Sequence, residues 1–224
     1  MFLLLIDNRE DEDLLCENYC LLSADLRRPT ELIEKLHTPI TNKEQEEGGL
    51  LDRNAPTLIL AELVFLYLSP EHTRHCLDSL TRFFHGPLML VTYEALNLHD
   101  SFSSMMVQNL AGRGLCLAGF EYNDSVESQV SRMKAHGFLE VVSTDMKSLR
   151  TNNMTSMNGD GEEQEQEEWR RRWTAELARV RRLEFLDEVE ELELILSHYA
   201  LSWAIRADHS TSRTTTVGFY LPTF

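Results

Sequence analysis

Short apolar runs alternate with amphipathic stretches along the chain. Residues 19–24, Tyr-Cys-Leu-Leu-Ser-Ala, make an apolar run of strand length that stops at Asp25. In Pro29-Thr-Glu-Leu-Ile-Glu-Lys-Leu36, Leu32, Ile33 and Leu36 recur at helical spacing, and Pro29 suits a first turn. Thr38 to Asn54 is polar, contains Gly and reads as a loop. Pro56-Thr-Leu-Ile-Leu-Ala-Glu-Leu-Val-Phe-Leu-Tyr-Leu68 is almost wholly apolar, the pattern of a strand buried on both faces. Ser69, Pro70 and Glu71 then supply a capping hydroxyl, a first-turn proline and a negative charge near the positive helix end. They predict a helix over 70–84, closed before Gly86-Pro87. Leu88–Glu94 predicts a second buried strand, and a helix over about 99–113 ends at Gly112 or Gly114. Ser125–His136 reads as a helix closed by Gly137, followed by a strand over Phe138–Ser143. Thr151–Gly161 is rich in Asn, Ser and Gly and predicts a mobile loop. Glu162–Arg182 is a charged helix with its acidic residues first and Arg170–Arg172 later, an order that suits the helix dipole. Leu183, Leu186, Val189 and Leu192 mark an amphipathic helix through about Ser197. Tyr199–Ile205 and Thr216–Leu221 predict a terminal antiparallel hairpin. Strands alternating with helices define an α/β, three-layer fold with a largely parallel sheet. No internal repeat is visible.

Composition narrows the functions available. The 224 residues carry 21 Lys+Arg against 37 Asp+Glu, a formal charge of −16. Phosphate backbones need clustered cations, so this balance argues against nucleic acid, and anionic membranes repel it for the same reason. The charge sits mainly in Asp7–Asp13, Asp160–Glu168 and Glu184–Glu193, as solvated faces do. No stretch approaches the roughly 20 apolar residues that span a bilayer. Met1–Ile6 resembles the beginning of a secretory leader, but it lacks a basic start and runs into Asp7 too soon. Cys16, Cys20, Cys76 and Cys116 show neither CxxC spacing nor a His-Cys pattern. They read as reduced, mostly buried thiols, pointing to the cytoplasm.

Candidate chemistry lies where apolar runs end, because ligands of open parallel sheets sit beyond the carboxyl ends of the strands. Asp25 directly follows the first such run, and its alternative reading is a cap for the next helix. Glu62 interrupts the longest apolar run. An ionised Glu inside a buried strand is costly unless paired or used by a ligand. Its alternatives are a structural salt bridge or a strand that ends earlier.

Taken together, several segments resemble the leucine carboxyl methyltransferase family. They are Ser23-Ala-Asp-Leu-Arg-Arg-Pro29, the Pro56–Pro70 run with its Ala61-Glu62 pair, and Leu183-Glu-Phe-Leu-Asp-Glu-Val-Glu-Glu-Leu192 with His198-Tyr199 and Trp203-Ala204. Tyr93-Glu94, Met106–Leu110 and Leu117–Glu121 support them. The resemblance runs in order from about Tyr19 to Ala207 and matches the C-terminal part of the family. It leaves residues 1–18 as a divergent segment and 19–224 as part of a methyltransferase domain. It implies a fold similar to other S-adenosylmethionine-dependent methyltransferases, whose sheet is mostly parallel and flanked by helices. It further implies S-adenosylmethionine as cofactor and the C-terminal leucine carboxylate of the protein phosphatase 2A catalytic subunit as substrate. Carried over residue by residue, Asp25 and Leu26 match positions at the adenine end of the cofactor. Glu62 matches the acidic residue near its amino-acid portion, and Tyr67 matches the active-site tyrosine, with a core aromatic as the alternative.

The implied chemistry asks little of the protein. A peptide C-terminal carboxylate, with an ordinary pKa of about 3.3–3.7, is already a nucleophile at neutral pH and needs no general base. None of the eight histidines is required as one. The resemblance also implies a glycine-rich cofactor loop and basic and acidic cofactor contacts upstream of the Ala-Asp-Leu-Arg segment. The 24 residues before Asp25 contain no Gly. The N-terminal strands are therefore expected to be missing, and this chain by itself is expected to bind the cofactor weakly or not at all. A truncated, non-catalytic interaction protein is the competing expectation. The family's tRNA wybutosine-synthesising branch fits less well, since the acidic chain offers no tRNA surface.

Overall fold

The computed structural model describes residues 2–6, 13–16, 19–37, 51–151, 163–183 and 187–206. In chain order the elements begin with β1 (Phe2–Ile6), β2 (Leu14–Leu15), β3 (Tyr19–Ser23), α1 (Pro29–His37) and β4 (Thr57–Glu62). A 3-10 turn over Phe65–Tyr67 precedes α2 (Pro70–Phe83), β5 (Leu88–Ala95) and α3 (Ser101–Ala111). A second 3-10 turn, Phe120–Tyr122, leads to α4 (Val126–Ala135), β6 (Glu140–Asp145) and α5 (Met146–Thr151). α6 (Glu163–Val180), α7 (Val189–Leu196) and β7 (Tyr199–Arg206) complete the described chain. The described residues fall into two compact units: one within Met1–Ile59, Leu68–Met89 and Ile205–Phe224, the other within Leu60–Tyr67 and Leu90–Ala204.

The α/β class is as expected. One sheet has the order β1-β3-β2, with β1 parallel and β2 antiparallel to β3. The Met1–Ile6 run, weighed above only as a leader, supplies β1, with Phe2 opposite Tyr19 and Ile6 opposite Ser23. The other sheet has the order β4-β5-β7-β6. Thr57 N–H donates to Pro87 O and Leu63 N–H to Tyr93 O, a constant offset that makes β4 and β5 parallel. Leu96 N–H donates to His198 O, joining the end of β5 to the start of β7, which therefore runs antiparallel to it.

In the first unit, α1 packs on α2, burying Leu32 and Leu36 from one helix and Cys76, Leu77 and Phe83 from the other. α2 starts as expected: Ser69 Oγ accepts the His72 N–H at 3.2 Å, with Pro70 in the first turn. Its C-terminal carbonyls are taken by two guanidinium groups. Arg53 Nε donates to Phe83 O at 2.8 Å, and Arg206 donates to Thr81 O and Phe84 O. In the second unit, Leu66, Ala95, Leu98 and Leu117 form a core cluster against which Leu63, Met106, Leu110 and Tyr199 pack.

Several expectations change. The apolar run over 56–68 is not one strand buried on both faces: β4 ends at Glu62, and Leu58 and Leu60 are 57% and 68% exposed. Among the described residues β4 stands at the edge of its four-stranded sheet, and Leu58, Leu60 and Glu62, which share one face of it, are exposed. The last strand before α5 begins at Glu140 rather than Phe138, and its side chain Phe138 is buried just ahead of it. Cys20 and Cys76 are buried, but Cys16 and Cys116 are exposed, so the thiols are not mostly buried. The expected mobile loop over Thr151–Gly161, apart from Thr151, which ends α5, and the expected hairpin partner over Thr216–Leu221 lie outside the described residues.

Candidate functional site

The turn that joins β4 to α2 carries two of the expected site residues. Glu62 is the last residue of β4 and is exposed, so the cost of a buried carboxylate never arises there. Leu63 follows with φ at +51°, in the left-handed region that disfavours a branched side chain. That single residue turns the strand aside, while its N–H still donates to Tyr93 O at 2.8 Å. The next three amides point at one carboxylate. Val64 and Phe65 N–H donate to Glu94 Oε1 at 3.1 and 2.8 Å, and Leu66 N–H donates to Oε2 at 3.2 Å. Tyr67 N–H closes on Val64 O, and Leu66 O accepts the Gly119 N–H at 2.9 Å. Phe65 and Leu66 are buried, whereas Tyr67 is 42% exposed at the end of the turn rather than a core aromatic.

Glu94 is the buried acid of this region, with no exposed surface, and Arg132 is the buried base at 3%. Burial pushes the Glu94 carboxyl above the ordinary glutamate range, against the opposing pull of the three amides and Arg132. Burial likewise lowers the Arg132 guanidinium, which the Glu94 charge opposes. Arg132 lies over the rings of Phe65 and Tyr122 at 5.3 and 5.5 Å and donates to Asn123 Oδ1 and Gln129 Oε1. Asn123 Nδ2 in turn donates to Gly119 O at 3.1 Å. Beside the turn, Tyr93 and Tyr199 stack in parallel with centroids 5.3 Å apart. Burial raises the Tyr93 hydroxyl above the ordinary tyrosine range, and the nearby Tyr199 and Glu62 charges add to it.

Asp25 and Leu26 belong to the other unit, in the turn between β3 and α1. Asp25 does not cap α1, which begins four residues later at Pro29. Its Oδ1 accepts the Arg27 N–H at 3.0 Å and Nε at 2.8 Å, and Oδ2 accepts Arg27 Nη2 at 2.9 Å. The Arg27 side chain, foremost, holds this carboxyl down at about 2, with Arg28 adding to it. Both Asp25 oxygens are thus engaged by arginine N–H groups, whereas Glu62 is exposed.

His72 Nδ1 lies 2.8 Å from Ser69 Oγ, and His99 Nε2 lies 2.7 Å from Asp124 Oδ1. His198, the most buried histidine among the described residues, has Nδ1 against Leu194 O at 2.7 Å and Nε2 against Asp100 Oδ2 at 3.0 Å. Asp100 also caps α3 through Ser103, whose hydrogen bonds keep its carboxyl at about 2. Among the described residues no group of three or more His, Cys, Asp or Glu could hold a metal ion, and no helix is long and apolar enough to cross a membrane. In the sequence Glu94 counts only as part of a supporting segment, with no role of its own, and Arg132 is not singled out. The available signal was the same as for Glu62, an acid closing an apolar run, since Glu94 ends Leu88–Glu94.

No family model matches the chain. The probable leucine carboxyl methyltransferase 1 of Caenorhabditis briggsae is 34% identical over 192 residues, 86% of this chain and 49% of that protein. Leucine carboxyl methyltransferase 1 of Rattus norvegicus is 33% identical over 190 residues, 85% of this chain and 48% of its own length. Among solved structures, a geranyl diphosphate methyltransferase in complex with SAM is similar with a TM-score of 0.40 and 13% identity, over 85% of this chain and 59% of that one. Haemonchus contortus phosphoethanolamine N-methyltransferase 2 in complex with S-adenosyl-L-methionine is similar with a TM-score of 0.37 and 12% identity, over 84% and 37%. The chain thus spans about half the length of the relatives it matches by sequence. Over most of its own length, this protein is a relative of the leucine carboxyl methyltransferases.

Proposed function

We propose that this chain serves the S-adenosylmethionine-dependent methylation of a protein C-terminal leucine carboxylate, that of the protein phosphatase 2A catalytic subunit, in the cytoplasm. The observation that carries this reading is the 34% identity to a leucine carboxyl methyltransferase over 86% of the chain. When bound, the cofactor's sulfonium supplies an activated methyl group. Asp25, kept ionised by Arg27, would accept the adenine amine, with Leu26 against the ring. Glu62 would accept hydrogen bonds from the cofactor's ammonium, and Tyr67 would orient the reacting carboxylate with its hydroxyl. The incoming leucine carboxylate is ionised at neutral pH, so the protein's task is to hold the reactants in line and keep water away.

Labelled methyl transfer to the phosphatase C-terminus tests this, with a subunit lacking the terminal leucine as the control. Transfer that requires the leucine supports the reading, and loss of both transfer and cofactor binding overturns it. Glu62→Gln is expected to raise the cofactor Kd roughly tenfold, the worth of one charge-assisted hydrogen bond, by calorimetric titration.

A further inference from the structure

The Glu62–Tyr67 turn is built more expensively than a connection requires. A leucine stands in the left-handed region at its entrance, although Gly or Asn would stand there at less cost. A carboxylate with no exposed surface and a guanidinium at 3% lie beneath it, where apolar side chains of similar volume would serve stability at least as well. Strained backbone and buried ionic groups recur where a structure must hold one geometry. Here the geometry held is that of the two side chains bracketing the turn. Glu62 precedes the left-handed residue, and Tyr67 follows the three amides that Glu94 collects. A second set of hydrogen bonds reaches the far side of the turn, from Arg132 through Asn123 to Gly119, whose N–H binds Leu66 O.

We propose that Glu94, backed by Arg132, is a positioning residue that sets the Glu62–Tyr67 turn in its ligand-binding shape before any ligand arrives. The inference rests on the proposed role of Glu62 and Tyr67 in holding S-adenosylmethionine and the reacting carboxylate. Glu94 does not itself touch either. Its carboxylate replaces the missing first-turn partners of Val64, Phe65 and Leu66 with one rigid acceptor, so the two site residues move together or not at all.

The test uses the full chain with Glu94→Gln, which keeps the shape but gives one oxygen in place of two acceptors, and Leu63→Gly, which frees the entrance of the turn. Exchange of the Val64, Phe65 and Leu66 amides, read by NMR, is expected to speed up at least tenfold in Glu94→Gln, with the α2 and α4 amides unchanged. Calorimetric affinity for S-adenosylmethionine is expected to fall at least tenfold in both variants while Tm stays within a few degrees. Exchange at Val64–Leu66 that stays slow in Glu94→Gln overturns the inference. So does a uniform loss of protection and Tm with affinity per folded molecule unchanged, the signature of a purely structural role. Should Glu94→Gln not fold, Leu63→Gly decides by the same two readouts. If the unsubstituted chain has no affinity for the cofactor, the functional reading fails by itself, and the exchange result alone then upholds or overturns the positioning of the turn.

Discussion

Single residues decide where this chain turns. Leu63 ends a strand that the apolar pattern alone extends to Leu68, because its φ of +51° redirects the backbone and hands the next three amides to Glu94. The alternation of apolar residues carries no mark of this, since the acceptor lies some thirty positions away in sequence. Glu62 and Tyr67 were legible as candidates from their motif, yet their exposure was not, and neither was the buried pair beneath them. Gly86 makes a comparable local demand. A Cβ there would stand 2.2 Å from the Asn54 carbonyl oxygen, a backbone atom that cannot swing aside. Gly86→Ala is therefore expected to destabilise the protein by about 1–3 kcal/mol, the usual cost of overpacking, in a urea denaturation measurement.

At the level of elements, start signals read well and end signals less so. Ser69, Pro70 and Glu71 announce α2, and the structure uses Ser69 as the N-cap. Ser125 likewise begins α4, in a reciprocal capping box with Ser128, and Gly137 follows the helix with φ at +85°. These signals are local, so a short window contains them. The other end of α2 depends instead on Arg53 and Arg206, which come from distant parts of the chain to satisfy its last carbonyls. Ser69→Ala removes the acceptor for the His72 amide and is expected to cost about 1 kcal/mol, lowering Tm by roughly 2–4 °C in a thermal melt.

Over the whole molecule, charge and the exposed strand edge among the described residues lead to expectations for behaviour in solution. Asp25 and Asp100 have folded-state pKa values of about 2, below the ordinary 3.8. The stability they contribute is complete above about pH 4 and is lost as pH falls through about 2, because the unfolded chain takes up their protons first. A pH series of melts should show this acid limb, and it should flatten in Asp25→Asn. Leu58 and Leu60 lie exposed on the same face of the edge strand β4. Exposed apolar edges invite pairing with another chain, so light scattering is expected to show association that grows with concentration. Leu60→Lys should suppress it, and a clean monomer at all concentrations would remove the prediction.

The sequence by itself determined the α/β class, the boundaries of α1, α2, α4 and β3, the excess of negative charge and the kinship with leucine carboxyl methyltransferases. All of these live in local periodicity, capping residues, composition or contiguous motifs. Tertiary structure alone decided that β4 stops at Glu62, that Phe2–Ile6 forms a strand, and that buried Glu94 and Arg132 underlie the candidate turn. Each of these depends on groups far apart in sequence meeting in space, where burial and hydrogen-bond satisfaction outweigh local preference.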